Sequence, residues 1–135
     1  MKVSIIINCH NGDRYLRECL ESVLSQSYKN FEVIFFDNKS NDQSKNIFLS
    51  YKEKKFKYFY SNKKINLYKA RNRAIKLSKG DLISFLDVDD WWEKNKLKIE
   101  VNVMKNKKID IIYSNYFIFK EKYKLKRIFS KLTRR

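Results

Sequence analysis

The chain has 135 residues, of which 43% are hydrophobic and 16% aromatic, and this favours one globular domain over a disordered chain. Its formal charge of +16 suits nucleic acid or an anionic membrane, but the lysines are scattered and charge alone is weak evidence. Two glycines and no proline exclude a Gly-rich phosphate loop. No apolar run approaches the roughly 20 residues of a spanning helix, and the chain starts in a strand instead of a signal peptide, so we expect a cytoplasmic protein.

Apolar runs of strand length alternate with helical patterns along the chain. Leu16, Leu20 and Leu24 recur every four residues, which is typical of an amphipathic helix that covers a sheet. The polar segments 8–13 and 37–42 follow the first two strands and are rich in residues that cap helices. In chain order we predict strand 3–7, a helix through 16–24, strand 31–36, a helix through 47–51, strand 56–60, helix 67–78, strand 82–86, a helix through 97–104, and strand 109–113 with an extension toward 119.

This alternation predicts right-handed βαβ units and a mostly parallel central sheet in a three-layer α/β/α fold. Gly80 is predicted to end the helix before the fourth strand. Cys9 and Cys19 fall in a predicted strand and a predicted helix without zinc or disulfide spacing, so we expect ordinary reduced thiols. Ligands of open α/β sheets bind at the carboxyl ends of strands, where strand order switches, so the polar loops at Asp37 and Asp87 predict a ligand between them.

The run 82–86 has the composition of a buried strand and stops at three carboxylates within four positions, Asp87, Asp89 and Asp90. Acidic side chains clustered at a strand end indicate a site for a hard divalent cation. The alternative is a solvated acidic cap on the next helix, which explains Asp90 well but not Asp87. A calcium hand fits poorly, because no glycine follows the acids.

Five motifs occur in one order along the chain: 3–7 followed by Asn11, then 22–28 with 31–34, then 37–42, 70–72 and 85–90. In this order they resemble the amino-terminal, nucleotide-sugar-binding portion of the family 2 glycosyltransferases, which have the GT-A fold. The resemblance extends from Val3 to about Leu97 and weakens after that. A single Asp-x-Asp triplet carries little information, whereas five motifs at matching spacing are specific.

The resemblance implies a divalent-metal-dependent transfer of a sugar from a UDP-, GDP- or dTDP-sugar to a hydroxyl of a glycan or lipid-linked acceptor. Mg²⁺ or Mn²⁺ would bridge the carboxylates to the diphosphate and act as a Lewis acid. Asp89 would be the principal metal ligand, and Asp87 would face the ribose or the water shell of the metal. The residues implied in donor binding are Asn8, His10, Asn11, Asp37, Asn38, Arg71, Asp87 and Val88.

Several positions depart from the family pattern. Asn38 stands where a second Asp is frequent, which leaves the base open, and His10 stands where a Tyr stacks near the base. Asn8 replaces a common Pro or Thr. Arg71 suits a phosphate or a carboxylate lining the site, and Asn72 is a candidate for hydrogen bonds to the acidic loop. The bland alternatives are an Asx-rich helix cap for 37–38, an incidental loop histidine, and helix-surface positions for 71 and 72; for the tryptophans at 91 and 92 we expect core packing.

The resemblance also implies an acceptor-binding portion. An inverting transfer needs a carboxylate base, and we expect that base beyond Arg135, so no catalytic base is assigned. We divide the chain into a nucleotide-sugar-binding domain, 1–115, and a basic segment, 116–135, that begins the acceptor part. As a helix, 120–135 would separate apolar groups from charge and suit an anionic lipid surface at the inner face of the cell membrane; packing against further structure is the favoured alternative.

Rival functions are an inactive or split nucleotide-sugar-binding fragment and a basic nucleic-acid-binding protein. A nucleic-acid partner is not expected, because no nucleic-acid motif occurs and acid clusters repel phosphate. A haloacid-dehalogenase-like phosphohydrolase also has an Asp-x-Asp after an apolar strand. There the motif follows the first strand and precedes small residues, whereas here it follows the fourth and precedes two tryptophans.

Overall fold

A computed structural model describes residues 1–106 and 109–118. Within these ranges, eight elements alternate between strand and helix in the predicted order. The strands are β1 (Val3–Cys9), β2 (Phe31–Asp37), β3 (Phe56–Tyr60) and β4 (Leu82–Phe85), and the helices are α1 (Asp13–Leu24), α2 (Ser44–Ser50), α3 (Leu67–Leu77) and α4 (Lys96–Asn106).

The four strands form one parallel sheet in the order β3-β2-β1-β4. Strand β1 pairs with β2 from Val3↔Phe31 to Cys9↔Asp37, and on its other side with β4, beginning at Val3↔Leu82. The predicted parallel sheet is confirmed. Because the chain builds outward from β1 first to one side and then to the other, the strand order switches between β1 and β4.

Helices cover both faces of this sheet, which confirms the three-layer α/β/α fold. Successive side chains of a strand point to opposite faces, so β1 divides its residues between two cores. Ile5 and Ile7 belong to the core formed with α1, α2 and α4, and Ile6 belongs to a smaller core formed with α3. The smaller core is closed by Ile34, Phe36, Ala70 and Ala74.

The buried carboxylate of Glu32 links the strands at their amino ends. Glu32 accepts hydrogen bonds from Lys2 Nζ at 2.8 Å, Lys57 Nζ at 2.6 Å, Ser4 Oγ at 2.8 Å and the backbone N–H of Lys79 at 2.6 Å. Burial alone would raise the pKa of Glu32, but these donors outweigh it and hold the pKa at about 2. The network ties β1, β2 and β3 to the connection between α3 and β4.

Gly80 does not end α3, and that prediction is wrong. The helix ends at Leu77, and Ser78 already has an extended backbone. Gly80 lies beside β1, where a Cβ would come within 2.6 Å of the Ser4 backbone nitrogen. The glycine is therefore explained by a close backbone approach and not by a left-handed helix cap.

Strand β4 is an edge strand and not the buried strand that its composition predicts. Within the described residues it pairs only with β1, and Ile83 and Phe85 remain 42% and 46% exposed. Leu86, just after the strand, is buried at 3%. An apolar run has the same composition whether one or both of its faces are covered, which is why the sequence pattern overestimates burial.

The strand predicted at 109–113 is also wrong, since residues 109–118 contain no strand. Ile111 and Tyr113 are 84% and 92% exposed. Apolar residues supply strand propensity, but a strand needs a neighbour to complete its hydrogen-bond ladder, and these residues pair with no described strand. The predicted extension contains no strand through residue 118, and residue 119 and the predicted amphipathic segment 120–135 lie outside the described residues.

Candidate functional site

The loops that follow β1 and β2 are joined at the carboxyl edge of the sheet. Asn11 has a left-handed backbone with φ 55°, which Asn adopts more readily than most residues. Its backbone N–H donates to Ser40 Oγ at 3.0 Å, and its side-chain Oδ1 accepts from the Asn41 backbone N–H at 2.9 Å. Asn11 therefore fixes the relative position of these two loops.

His10 is exposed at the same edge and is oriented by the β2 loop. Its ring Nδ1 lies 3.0 Å from the Asn38 carbonyl oxygen. Because a carbonyl only accepts hydrogen bonds, Nδ1 is the protonated ring nitrogen in this contact. The Asn38 backbone N–H in turn donates to the Cys9 carbonyl at 2.7 Å, so the ring is anchored to the paired ends of β1 and β2.

Asp37 is buried at the end of β2, and both of its carboxylate oxygens are engaged. Oδ1 accepts from the Ser40 backbone N–H at 2.8 Å, and Oδ2 accepts from the Tyr58 hydroxyl at 2.6 Å. Burial and the Asp37 charge together raise the pKa of Tyr58. Asp37 thus shapes the turn that follows β2, but the helix-cap alternative for 37–38 is not seen, because the N-cap residue of α2 is Gln43.

Asn38 clamps the segment between β3 and α3. Its side-chain Nδ2 donates to the Ile65 carbonyl at 2.6 Å, and its Oδ1 accepts from the Ile65 backbone N–H at 3.0 Å. Ser61 adds a backbone bond to the Asp37 carbonyl at 2.8 Å. The side chain of Asn38 thus satisfies both polar groups of one residue in a neighbouring loop.

Val88 anchors the acidic loop after β4 to the core. It packs over Gly12, where a Cβ would lie 2.7 Å from Val88 Cγ2. The Asp90 backbone N–H donates to the Asp87 carbonyl at 3.0 Å and closes a turn. With Val88 directed at the core, Asp87 and Asp89 on either side of it are exposed.

The three carboxylates of the acidic loop differ in their burial and in their partners. Arg71 Nη2 donates to Asp87 Oδ1 at 2.6 Å, so α3 is linked to the acidic loop across the switch point. The pKa of Asp90 is raised by partial burial and then by the charges of Asp89 and Asp87. Asp89 makes no ion pair or side-chain hydrogen bond with any described residue, and its carboxylate is free to accept a ligand.

The structure also places the two tryptophans, Asn72 and the two cysteines. Trp92 is buried, which confirms core packing for it, and its backbone N–H donates to Ser22 Oγ at 3.1 Å, whereas Trp91 is exposed. Asn72 is exposed and makes no hydrogen bond to the acidic loop in the described part of the chain. Both cysteines are free and buried, as expected.

Asn8 carries the one buried side-chain nitrogen or oxygen without a hydrogen-bond partner in residues 1–106 and 109–118, its amide Nδ2. It lies on β1 opposite Phe36, on the face that α3 covers. A buried donor without a partner costs about 1–3 kcal/mol, and an acceptor brought by a ligand would remove this cost.

The residues present fit a hard divalent cation only in combination with oxygens from a ligand. No group of three or more His, Cys, Asp or Glu side chains within the described ranges is arranged to hold a metal ion. Asp89 and Asp87 offer carboxylate oxygens of the right kind, but one Asp87 oxygen is shared with Arg71. A cation with six oxygen ligands would therefore need diphosphate oxygens and water to complete its shell.

The partners that hold the candidate residues were not predicted from the sequence. Tyr58 lies opposite Phe35 in the sheet register, and its hydroxyl reaches Asp37. The polar end of an otherwise core-facing aromatic residue was the available signal. A separate groove of about 400 Å³ between α1 and α2 involves none of the predicted donor residues and is lined by Asp13, Arg14, Arg17, Gln43, Asn46 and Ile47.

The parallel sheet with an acidic loop at its switch point is shared with the GT-A glycosyltransferases, and similarity to solved structures assigns the chain to that class. Among solved structures, S. aureus TarS 1–349 matches with a TM-score of 0.75 at 31% identity, over 78% of this chain and 33% of that chain. Its complex with UDP-GlcNAc matches with a TM-score of 0.73 at 30% identity, over 78% and 32%. Mannosyltransferase PcManGT from Pyrobaculum calidifontis, in complex with GDP-Man and Mn²⁺, shares the fold with a TM-score of 0.62 at 20% identity, over 67% and 28%.

The sequence profile of Glycosyl transferase family 2 matches residues 4–134, and the chain belongs to this family. A curated relative, the Escherichia coli UDP-Glc:alpha-D-GlcNAc-diphosphoundecaprenol beta-1,3-glucosyltransferase WfaP, is 38% identical over 119 residues, covering 88% of this chain and 47% of the relative. The chain thus spans less than half the length of this relative. No helix in the described ranges has both the length and the apolar character needed to cross a membrane.

Proposed function

We propose that this chain binds the nucleotide-sugar donor of a divalent-metal-dependent, inverting glycosyl transfer. The observation that carries the proposal is the arrangement of the acidic loop in a family 2 member: Arg71 holds Asp87 at the switch point, and the neighbouring Asp89 is left free. Ligands of open α/β sheets bind at this edge. A uridine nucleotide is favoured, because the TarS complex contains UDP-GlcNAc and the name of WfaP specifies UDP-Glc.

Asp89 is the proposed principal ligand of Mg²⁺ or Mn²⁺, and Asp87 the secondary one. When bound, the cation supplies positive charge against the diphosphate that leaves with the nucleoside. Arg71 contributes a second, permanent positive charge next to Asp87. The unpaired Asp89 carboxylate makes the loop electronegative until a cation and a donor arrive.

The residues after β1 and β2 are proposed to receive the nucleoside. Asn8 offers the donor Nδ2 that lacks an acceptor, and His10 presents a ring fixed by the Asn38 carbonyl. Three further residues are proposed to hold the loops in the shape that receives the nucleoside, because their side chains already form hydrogen bonds within the protein. These are Asn11, Asp37 and Asn38, and Val88 adds the anchor that sets the spacing of the two acidic ligands.

The acceptor chemistry is proposed to need more than this domain. An inverting transfer needs a base that removes the proton from the acceptor hydroxyl. We assign no such base within 1–115 and expect it in an acceptor-binding part that 116–135 begins. A lipid-linked acceptor fits the diphosphoundecaprenol in the name of WfaP, and we place the reaction in the cytoplasm, at the inner face of the membrane.

The test is titration calorimetry with UDP, GDP and dTDP, each in Mn²⁺ and in chelator. At least one nucleotide binds in Mn²⁺, and Asp89→Ala weakens that binding at least tenfold, or about 1.4 kcal/mol. Glu53→Ala is the matched control, because it removes the same charge from an exposed side chain just before β3, at the opposite edge of the sheet. Equal affinity in chelator, or equal losses in the two variants, contradicts the metal role.

A further inference from the structure

One face of the molecule carries positive charge without compensation. Residues 61–80, from the loop after β3 through α3 to the turn before β4, contain no Asp or Glu. Six of their basic side chains are exposed, and none forms an ion pair with a carboxylate in the described part of the chain. These residues, which we call the α3 face, are Lys63, Lys64, Lys69, Arg73, Lys76 and Lys79.

Two exposed apolar side chains stand at one end of the α3 face. Helix α3 packs inward through Ala70 and Ala74, while Leu67 and Tyr68 in its first turn are 51% and 61% exposed. The preceding loop is held by the two hydrogen bonds between Asn38 and Ile65. The clamp fixes the loop that leads into this first turn of α3.

The opposite face has a different charge pattern. Helix α1 carries Asp13, Glu18 and Glu21 together with two arginines, so its surface is mixed. Helices α2 and α4 on that face add exposed lysines, but Glu53, Glu93 and Glu100 lie among them, whereas residues 61–80 contain no carboxylate. Exposed lysines attract anionic headgroups, and exposed apolar side chains beside them can enter the lipid interface, so this surface suits an anionic bilayer.

We propose that the α3 face docks on the surface of an anionic lipid bilayer, with the lysines at the headgroups and Leu67 and Tyr68 at the interface. Arg71 is on the same helix and pairs with Asp87, so docking brings the acidic loop close to the lipid surface. A bilayer is favoured over nucleic acid, because Leu67 and Tyr68 offer exposed apolar area that a lipid interface buries and a phosphate backbone does not. Docking needs no nucleotide, so it goes beyond the proposed donor binding.

The experiment is co-sedimentation of the full chain with vesicles of phosphatidylcholine alone, or with 30% phosphatidylglycerol, in about 0.1 M salt. The chain binds only the anionic vesicles, and the triple variant Lys63→Gln, Lys69→Gln, Lys76→Gln weakens binding about one hundredfold. The matched control neutralises the same number of exposed lysines at the other face, by Lys94→Gln, Lys98→Gln and Lys105→Gln, and changes binding less than threefold. Equal losses in the two triple variants overturn the proposal.

The apolar contribution has its own variant. Tyr68→Ser, with Asn72→Ser on the same helix as control, lowers vesicle binding several-fold, because only the tyrosine offers apolar area to the interface. Thermal unfolding of every variant at an unchanged midpoint shows that folding is retained. Loss of binding to a 20-nucleotide single-stranded RNA in the α3-face triple variant, with unchanged vesicle binding, overturns the proposal in favour of nucleic acid. A failure of vesicle docking can be told apart from a failure of donor binding, because the nucleotide titrations contain no lipid.

Discussion

The clamp between Asn38 and Ile65 makes a sharp prediction about the candidate site. The same side chain is a candidate for contact with the nucleoside base, yet both of its polar atoms are bonded to the Ile65 backbone. If it positions the loop before α3, its removal opens that loop. If it selects the base, its removal changes which nucleotide binds best.

The size of the effect follows from the two bonds. Each hydrogen bond contributes about 1 kcal/mol net, and Ile65 is only half-buried, so water partly replaces the lost partners. Asn38→Ala therefore costs about 2 kcal/mol of local stability, which accelerates hydrogen exchange of the Ile65 amide roughly thirtyfold. Asn38→Asp keeps the acceptor and loses the donor, and about 1 kcal/mol corresponds to a fivefold acceleration.

Amide exchange followed by NMR measures this directly, because the Ile65 N–H is itself the donor to Asn38. Asn41→Ala is the control in the same loop: its exposed side chain makes no hydrogen bond to a described residue. If Asn38 acts as a clamp, the affinities of the Asn38 variants for UDP, GDP and dTDP all fall, and the rank order of the three nucleotides stays the same. Unchanged Ile65 exchange in Asn38→Ala refutes the clamp, and a changed rank order assigns base selection to Asn38.

Two further predictions concern the scaffold beneath the site. Glu32→Gln lowers the free energy of unfolding by about 3 kcal/mol at pH 7, because the pKa of Glu32 is about 2 in the folded state and 4.5 in the unfolded state. The ionised carboxylate stabilises the fold above pH 4.5, and this contribution is lost as the pH falls toward 2. Urea denaturation between pH 7 and 2.5 must therefore show the difference in stability between the variant and the wild type becoming smaller. Gly80→Ala costs about 1–3 kcal/mol in the same assay, because its Cβ would meet the backbone nitrogen of Ser4 and the carbonyl oxygen of Lys2, which cannot rotate away. A loss below about 0.5 kcal/mol would count against this explanation.

The sequence was a good guide wherever periodicity governs structure. The Leu16, Leu20 and Leu24 pattern gave α1, and the alternation of strands and helices gave the parallel sheet. The carboxylate partner suggested for Arg71 is Asp87. These features follow from side-chain chemistry and chain order, both of which are visible in the sequence.

Features that depend on backbone partners were not predictable in the same way. Any residue supplies the N–H and C=O that Asn38 binds, so Ile65 leaves no sequence signal. The exposure of Ile83 and Phe85 depends on how many neighbours β4 has, and Ile111 failed to form a strand for the same reason. Composition records propensity, but pairing is decided by the rest of the fold.

Because β1 pairs with strands on both sides, its two neighbours become available at different times during synthesis. Val3 pairs with Phe31 on one side but must wait for Leu82 on the other. At the usual elongation rate of about 5–20 residues per second, the second partner is made several seconds after the first. The first three strands therefore have time to associate before the carboxylates of the acidic loop are made, and β4 is the last of the four described strands to join the sheet.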